Sequence, residues 1–316
     1  MKPKLIVSGC LAGALLALGG QVMATASGDD PEFSPVLAAM NARLRGAGVT
    51  TVAIDKAELL VHSTGGGHTA TTIIANDRTH LLSSLFVEND PRRGGSPDVT
   101  YLVDQSEGSA LGFNTAGGVI LLPNAVTEPQ LDRSVAAWTG PTCNGPGFVK
   151  VADTGADPDL VDGLLVGNLA LVGTPFADVT HAGWLPPAFH NLIAPNGGSF
   201  ILGVTFTFIF IDNDGNPTDL DRDGRADTAF REIYYNLAFA WGTGGGNPNN
   251  VDIQSVAIHE FGHGLGLAHF GKLFLKNDGS LQAAPRAIMN AAYTGEDREI
   301  RGTDNAGFCH IWASKH

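Results

Sequence analysis

The run His259-Glu260-Phe261-Gly262-His263-Gly264-Leu265-Gly266-Leu267-Ala268-His269 constrains this chain more than any other feature. Residues four apart share one face of an α-helix, so His259 and His263 can present two imidazoles to one metal ion. Glu260 lies beside the first of them, where a carboxylate can take a proton from metal-bound water. Two ligands are too few, because a catalytic zinc site uses three protein ligands plus water. Gly266 tolerates positive φ and can end the helix sharply, and the returning chain then brings in His269. A lone histidine on an apolar helix reads as a satisfied core residue. A His-Glu-x-x-His frame extended to Gly266 and His269 reads as a Zn2+ site.

The rest of the chain is compatible with export. Lys2 and Lys4 precede the apolar stretch Leu5–Leu18, and Ala24-Thr25-Ala26 offers a small-x-small cleavage pattern, so residues 1–26 read as a signal peptide and Ser27 as the mature N-terminus. Val7-Ser8-Gly9-Cys10 resembles a lipoprotein box, but only Leu5 to Val7 precede Ser8, too few for an apolar region of their own. No second stretch reaches the roughly 18 apolar residues that span a bilayer. The expected location is extracellular or periplasmic, with no membrane contact after signal removal. A formal charge of −13, with no basic cluster, makes nucleic acid a poor partner. Removal of the signal leaves Cys143 and Cys309, and in an oxidising compartment such a pair reads first as one disulfide. The rival reading makes Cys143 a thiolate that plugs the metal.

Pattern divides the remainder in two. Residues 27–96 read as a small α/β N-terminal region, a propeptide or a structural flank: a helix over Phe33–Arg45, β-branched runs at Val49–Leu60 and Thr71–Ala75, and a His/Gly-rich turn at Ser63–His68. The breaker-rich Asp90–Pro97 is the expected boundary, and residues 97–316 the second region. There Val99–Val103, Val119–Leu122, Ile201–Ile211 and Thr228–Tyr235 read as strands. Thr127–Trp138 reads as a helix with Thr127 as N-cap, and another helix begins near Asp252.

The His259–His269 motif resembles the elongated zinc signature of the metzincin metallopeptidases. That resemblance implies a methionine turn under the metal, and Met289 in Ala287-Ile288-Met289-Asn290 is similar to it. The closest subgroup looks like the matrixins, in a secreted form of bacterial style. Glu232–Asn236 with Trp241 resembles the strand before their active-site helix, Asp252–Ala257 the start of that helix, and Asp304–Gly307 with Ile311-Trp312 the C-terminal helix. Phe270 after the third histidine and the lack of a Pro-Arg-Cys-Gly switch depart from the pattern. The implied fold is α+β and zincin-like: a twisted mixed sheet, an active-site helix and a C-terminal helix. The implied activity is a zinc endopeptidase, a monomer acting on protein or peptide, with His259, His263 and His269 on zinc and Glu260 as general base. The alternative is a catalytically silent metzincin-fold binding or adhesive protein.

Two further expectations concern the surroundings. Between the last two strands Asp219, Asp221 and Asp223, then Gly224 and Asp227, match positions 1, 3, 5, 6 and 9 of a calcium loop, although Phe230 stands where the bidentate glutamate belongs. A structural Ca2+ there would stiffen the strand pair. The resemblance also implies a substrate lying extended along a sheet edge beside the zinc. Residues near Leu202–Thr207 are the expected edge, and residues 284–296 the expected pocket wall.

Overall fold

A computed structural model describes residues 34–62, 72–77, 82–106, 109–245, 247, 249–277 and 281–313. The expected signal peptide and the Ser63–His68 turn lie outside the described residues.

The chain is α+β, organised on a mixed sheet. Its strands are β1 (Val52–His62), β2 (Val99–Val103), β3 (Phe148–Lys150), β4 (Val179–Leu185), β5 (Ile201–Phe210), β6 (Ala226–Asn236) and β7 (Ala292–Tyr293). They lie in the order β7-β1-β5-β6-β4-β2-β3, and the short Ser84–Leu85 strand also pairs with β6. β5 is antiparallel to both neighbours, and the other main-path pairings are parallel.

Alternation along the strands builds a core on each face. On one side Val204, Phe206, Phe208 and Tyr234 pack with α1 (Ser34–Gly46), α3 (Val161–Val166) and α4 (Pro187–Ile193). The spacing of Leu37, Met40 and Leu44 is what turns one face of α1 inward. On the other side lie α2 (Asn124–Ala137), α5 (Ile253–Gly264) and α6 (Gly302–Trp312). All twelve residues of α5 are buried, which suits a helix apolar on most of its circumference and enclosed by sheet and helices. Asp252 starts it, its carboxylate accepting from the Ser255 amide at 2.9 Å and pairing with Arg298 at 2.6 Å.

Two expectations change. Pro123, not Thr127, occupies the N-cap of α2, and Thr127 is buried a turn further in. Leu202–Thr207 is not an edge: β5 is hydrogen-bonded to β6 on one side and to β1 on the other. An open β5 would leave a row of unpaired amides and carbonyls, and β1 satisfies them over Val52–Val61. Through β1 the expected N-terminal region is also a full member of the central sheet, on the far side of the Asp90–Pro97 segment.

Candidate metal centre

α5 places His259 and His263 one turn apart, and the exit from the helix brings in the third histidine. Gly266 adopts φ +95°, and a side chain there would meet Leu85 Cδ2 at 2.5 Å, so both conformation and space ask for glycine. The Leu267 amide returns to the Gly262 carbonyl at 3.0 Å. Arg231, buried in the sheet, donates to the Gly264 carbonyl at 3.0 Å and closes the helix end.

The three Nε2 atoms converge, separated by 3.0, 3.2 and 3.3 Å. Each Nδ1 faces an acceptor: the Ile288 carbonyl at 2.7 Å for His259, the Leu267 carbonyl at 2.8 Å for His263, and the Glu58 carboxylate at 3.4 Å for His269. That fixes the Nδ1–H tautomer and turns three lone pairs toward one point. Burial favours the neutral rings: it brings His259 down to about 4, and, with help from neighbouring charges, it lowers His263 and His269 well below the usual histidine value. Three converging lone pairs repel one another unless a cation sits among them. Tetrahedral zinc with Zn–N near ~2.05 Å needs nitrogens ~3.3 Å apart, so the donor set and spacing suit zinc.

Glu260 is fully buried on the same helix and faces β5. Its Oε2 accepts from Thr205 Oγ1 at 2.6 Å, and Oε1 lies against Gly203, where a Cβ would stand 2.6 Å away. Burial raises its pKa to about 8, which the Thr205 hydrogen bond partly offsets. A divalent cation close by would favour the carboxylate.

Met289 supports the centre from below. Its Sδ occupies the space a Cβ on Gly262 would need, 2.4 Å away. Asp304, near the start of α6, accepts from the Ile288 and Met289 amides at 3.0 and 3.1 Å. The turn thus positioned offers the Ile288 carbonyl to His259, so α6 reaches the histidine cluster through two hydrogen bonds. Tyr293 is engaged elsewhere, its hydroxyl accepting from the Asp252 amide at 3.0 Å. Within residues 284–296, Ala287, Ile288, Ala292 and Tyr293 line a small cavity shared with His259.

Cys143 and Cys309 form a disulfide that ties the segment after α2 to α6, so Cys143 is not a thiolate at the metal. In the acidic loop, carboxylate oxygens of Asp219, Asp221 and Asp227 gather within 4.8 Å, with Asp219 and Asp221 exposed. Asp223 stands outside that group, and its carboxylate accepts from the Arg225 amide at 2.8 Å. Asp227 already pairs with Arg92 at 2.7 Å.

Sequence reasoning read Gly203 and Thr205 only as part of an edge strand and Asp304 only as part of the C-terminal helix, and it gave Glu58 no role. Thr205 and Thr207 stand out as polar residues in an apolar strand, a signal that something polar faces them. Glu58 carried no such signal, because its place beside His269 depends on which strand pairs with β5.

The matrixin family profile matches residues 226–312, which span β6, α5, the three histidines, Met289 and α6. The match supports a matrixin-type metallopeptidase domain over that part of the chain, and it stops short of β1 and β5. No curated protein sequence matches the chain.

Proposed function

We propose that this chain is an exported zinc-dependent endopeptidase. The observation that carries the reading is the convergence of three buried imidazole nitrogens, with a buried carboxylate that has its own hydrogen-bond donor next to His259 on the same helix. The matrixin match over residues 226–312 supports the same class, and a peptidase of that class takes protein or peptide as substrate. His259, His263 and His269 would hold the metal. Zinc, when bound, supplies Lewis acidity that makes water a nucleophile near neutral pH and polarises a carbonyl.

The chain's own residues do the rest. Glu260 accepts a proton from the attacking water and returns it to the leaving amine. Thr205 holds the carboxylate in place from β5, and the Ile288 and Leu267 carbonyls keep two of the imidazoles oriented. Burial of the three histidines and of Glu260 keeps bulk water from competing for these bonds. A calcium ion at Asp219, Asp221 and Asp227 belongs to the same proposal as a brace for the β5–β6 connection, outside the chemistry. Export with a cleaved leader at residues 1–26 and a monomeric state complete it. The reading of a silent binding protein is less economical, since such a protein has no use for a buried base.

The test is direct. The purified mature chain should bind one zinc and cleave an unfolded protein substrate in a chelator-sensitive way. Glu260→Gln should keep the zinc and lose about 10²–10⁴-fold in rate. A zinc-loaded wild type no faster than this variant would end the enzyme reading.

A further inference from the structure

The third histidine arrives by a turn of the chain, and that turn has its own support. Six positions separate His263, on the last turn of α5, from His269. The carbonyls at the end of a helix have no partner within it, and they carry the negative end of its dipole. Here one of them, on Gly264, accepts from Arg231 Nη1 at 3.0 Å. Arg231 reaches it from β6 and is wholly buried. Its other bonds go to Thr207 Oγ1 on β5 and Thr228 Oγ1 on β6, both at 3.1 Å, and to the Ser84 carbonyl at 2.9 Å. The guanidinium also lies over the Phe86 ring, 5.0 Å from its centroid.

Residues 82–86 grip the same turn. The Leu82 amide donates to the Gly266 carbonyl at 2.8 Å, and Leu85 Cδ2 fills the space a Cβ on Gly266 would need. Ser84 and Leu85 are themselves strand-paired to β6. One planar fork thus joins β5, β6, residues 82–86 and the end of α5, where the chain leaves for His269. All four of its hydrogen-bond partners are neutral oxygens. Burial brings the guanidinium down to about 9 against the pull of the Asp55 and Glu58 charges, so it is cationic at neutral pH. A buried cation among neutral partners is a costly way to fill a sheet, which points to a task that an apolar side chain cannot do.

We propose, on the metal-centre reading above, that Arg231 is a positioning residue for the third histidine. By fixing the turn over Gly264–Leu267 it sets where His269 enters the triad and where the Leu267 carbonyl meets His263 Nδ1. It acts through the backbone, as a brace on the geometry of the donor set.

The test is the zinc affinity of the full chain, measured by competition with a chromogenic chelator, with cobalt in place of zinc as a spectroscopic probe. Arg231→Met should weaken zinc binding about 10–100-fold, and the visible bands of the cobalt form should move toward those of His269→Ala. Arg231→Lys keeps a cation able to donate to the Gly264 carbonyl and should recover most of the affinity. In a His269→Ala background the Arg231→Met loss should shrink at least about threefold, because the group being positioned is gone. Arg231→Met with wild-type affinity and a wild-type cobalt spectrum would overturn the proposal. So would an equal loss in both backgrounds, or a lysine variant no better than the methionine one, since either marks a general weakening of the fold. Should Arg231→Met not fold, Arg231→Gln takes its place; if that fails too, the residue is a folding requirement and the proposal falls. None of these readouts requires turnover, so they stand apart from the peptidase reading. A wild-type chain that binds no zinc would instead end the metal-centre reading, and this inference with it.

Discussion

At the residue scale the site depends on close contacts that leave no slack. Gly203 is the clearest case, since a methyl group there would stand 2.6 Å from the Glu260 carboxylate. Gly203→Ala should displace the Glu260 carboxylate by up to about an ångström, and if Glu260 is the base, as proposed, misplacement of that size costs roughly 10²-fold in rate. Zinc content should stay unchanged, which separates this effect from loss of the metal; an unaltered kcat would contradict the placement of Glu260. Gly262 is tight in a different direction, because an added methyl meets both Met289 Sδ at 2.4 Å and Trp138 Cζ2 at 2.8 Å. Overpacking of this kind costs about 1–3 kcal/mol. Thermal unfolding of Gly262→Ala should therefore show a lower midpoint, with Met289→Ala restoring part of it.

At the element scale, β6 and α3 meet through buried acids. Glu232 accepts from the Leu160 and Val161 amides, both at 3.0 Å, and these bonds offset part of the burial that raises its pKa to about 8. The Tyr234 hydroxyl lies 2.7 Å from Asp159 and 2.9 Å from Glu232. One hydroxyl proton cannot serve both acceptors, so one acid must donate, and Asp159 is the one without amide donors at that oxygen. Burial, and then the Glu232 charge, raise Asp159 to about 10. A carboxyl raised by folding contributes stability that is complete below its unfolded value, near 4, and is lost as pH climbs through the folded value. Asp159→Asn removes that requirement. The variant's unfolding midpoint should gain on the wild type's as pH goes from about 5 to about 8; a constant difference would mean Asp159 is ionised in the fold. The disulfide works at the same scale. It joins residues 166 apart, and loss of a native disulfide typically costs about 2–5 kcal/mol. Reductant should lower the midpoint, and since α6 holds the Met289 turn through Asp304, zinc affinity should fall with it.

At the scale of the whole molecule, the triad draws on distant parts of the chain: β1 through Glu58, α5 for two histidines, the turn after it for the third, and the Ile288–Met289 turn beneath. A ligand that binds only the folded state stabilises it by RT ln(1 + [L]/Kd), about 4 kcal/mol at a thousandfold excess over Kd. Chelation should therefore lower the unfolding midpoint of the whole chain, and zinc should restore it. No shift on zinc addition would mean the three nitrogens do not form the site.

What was legible in the sequence was local. The His259–His263 spacing, the break at Gly266 and the arrival of His269 follow from helix geometry and glycine's freedom within eleven residues, so they could be read without a fold. The strands at Val99–Val103 and Val119–Leu122 were readable for the same reason, since alternation and β-branching act over a few residues. Strand neighbours are a different kind of fact. β1 and β5 are some 150 residues apart, and any strand with a suitable face could have satisfied the open side of β5. Which one does is settled by burial and chain closure over the whole molecule. The three converging histidines and Glu260 were thus determined by the sequence near them. The covering of β5 and the approach of Glu58 to His269 were decided by the tertiary structure alone.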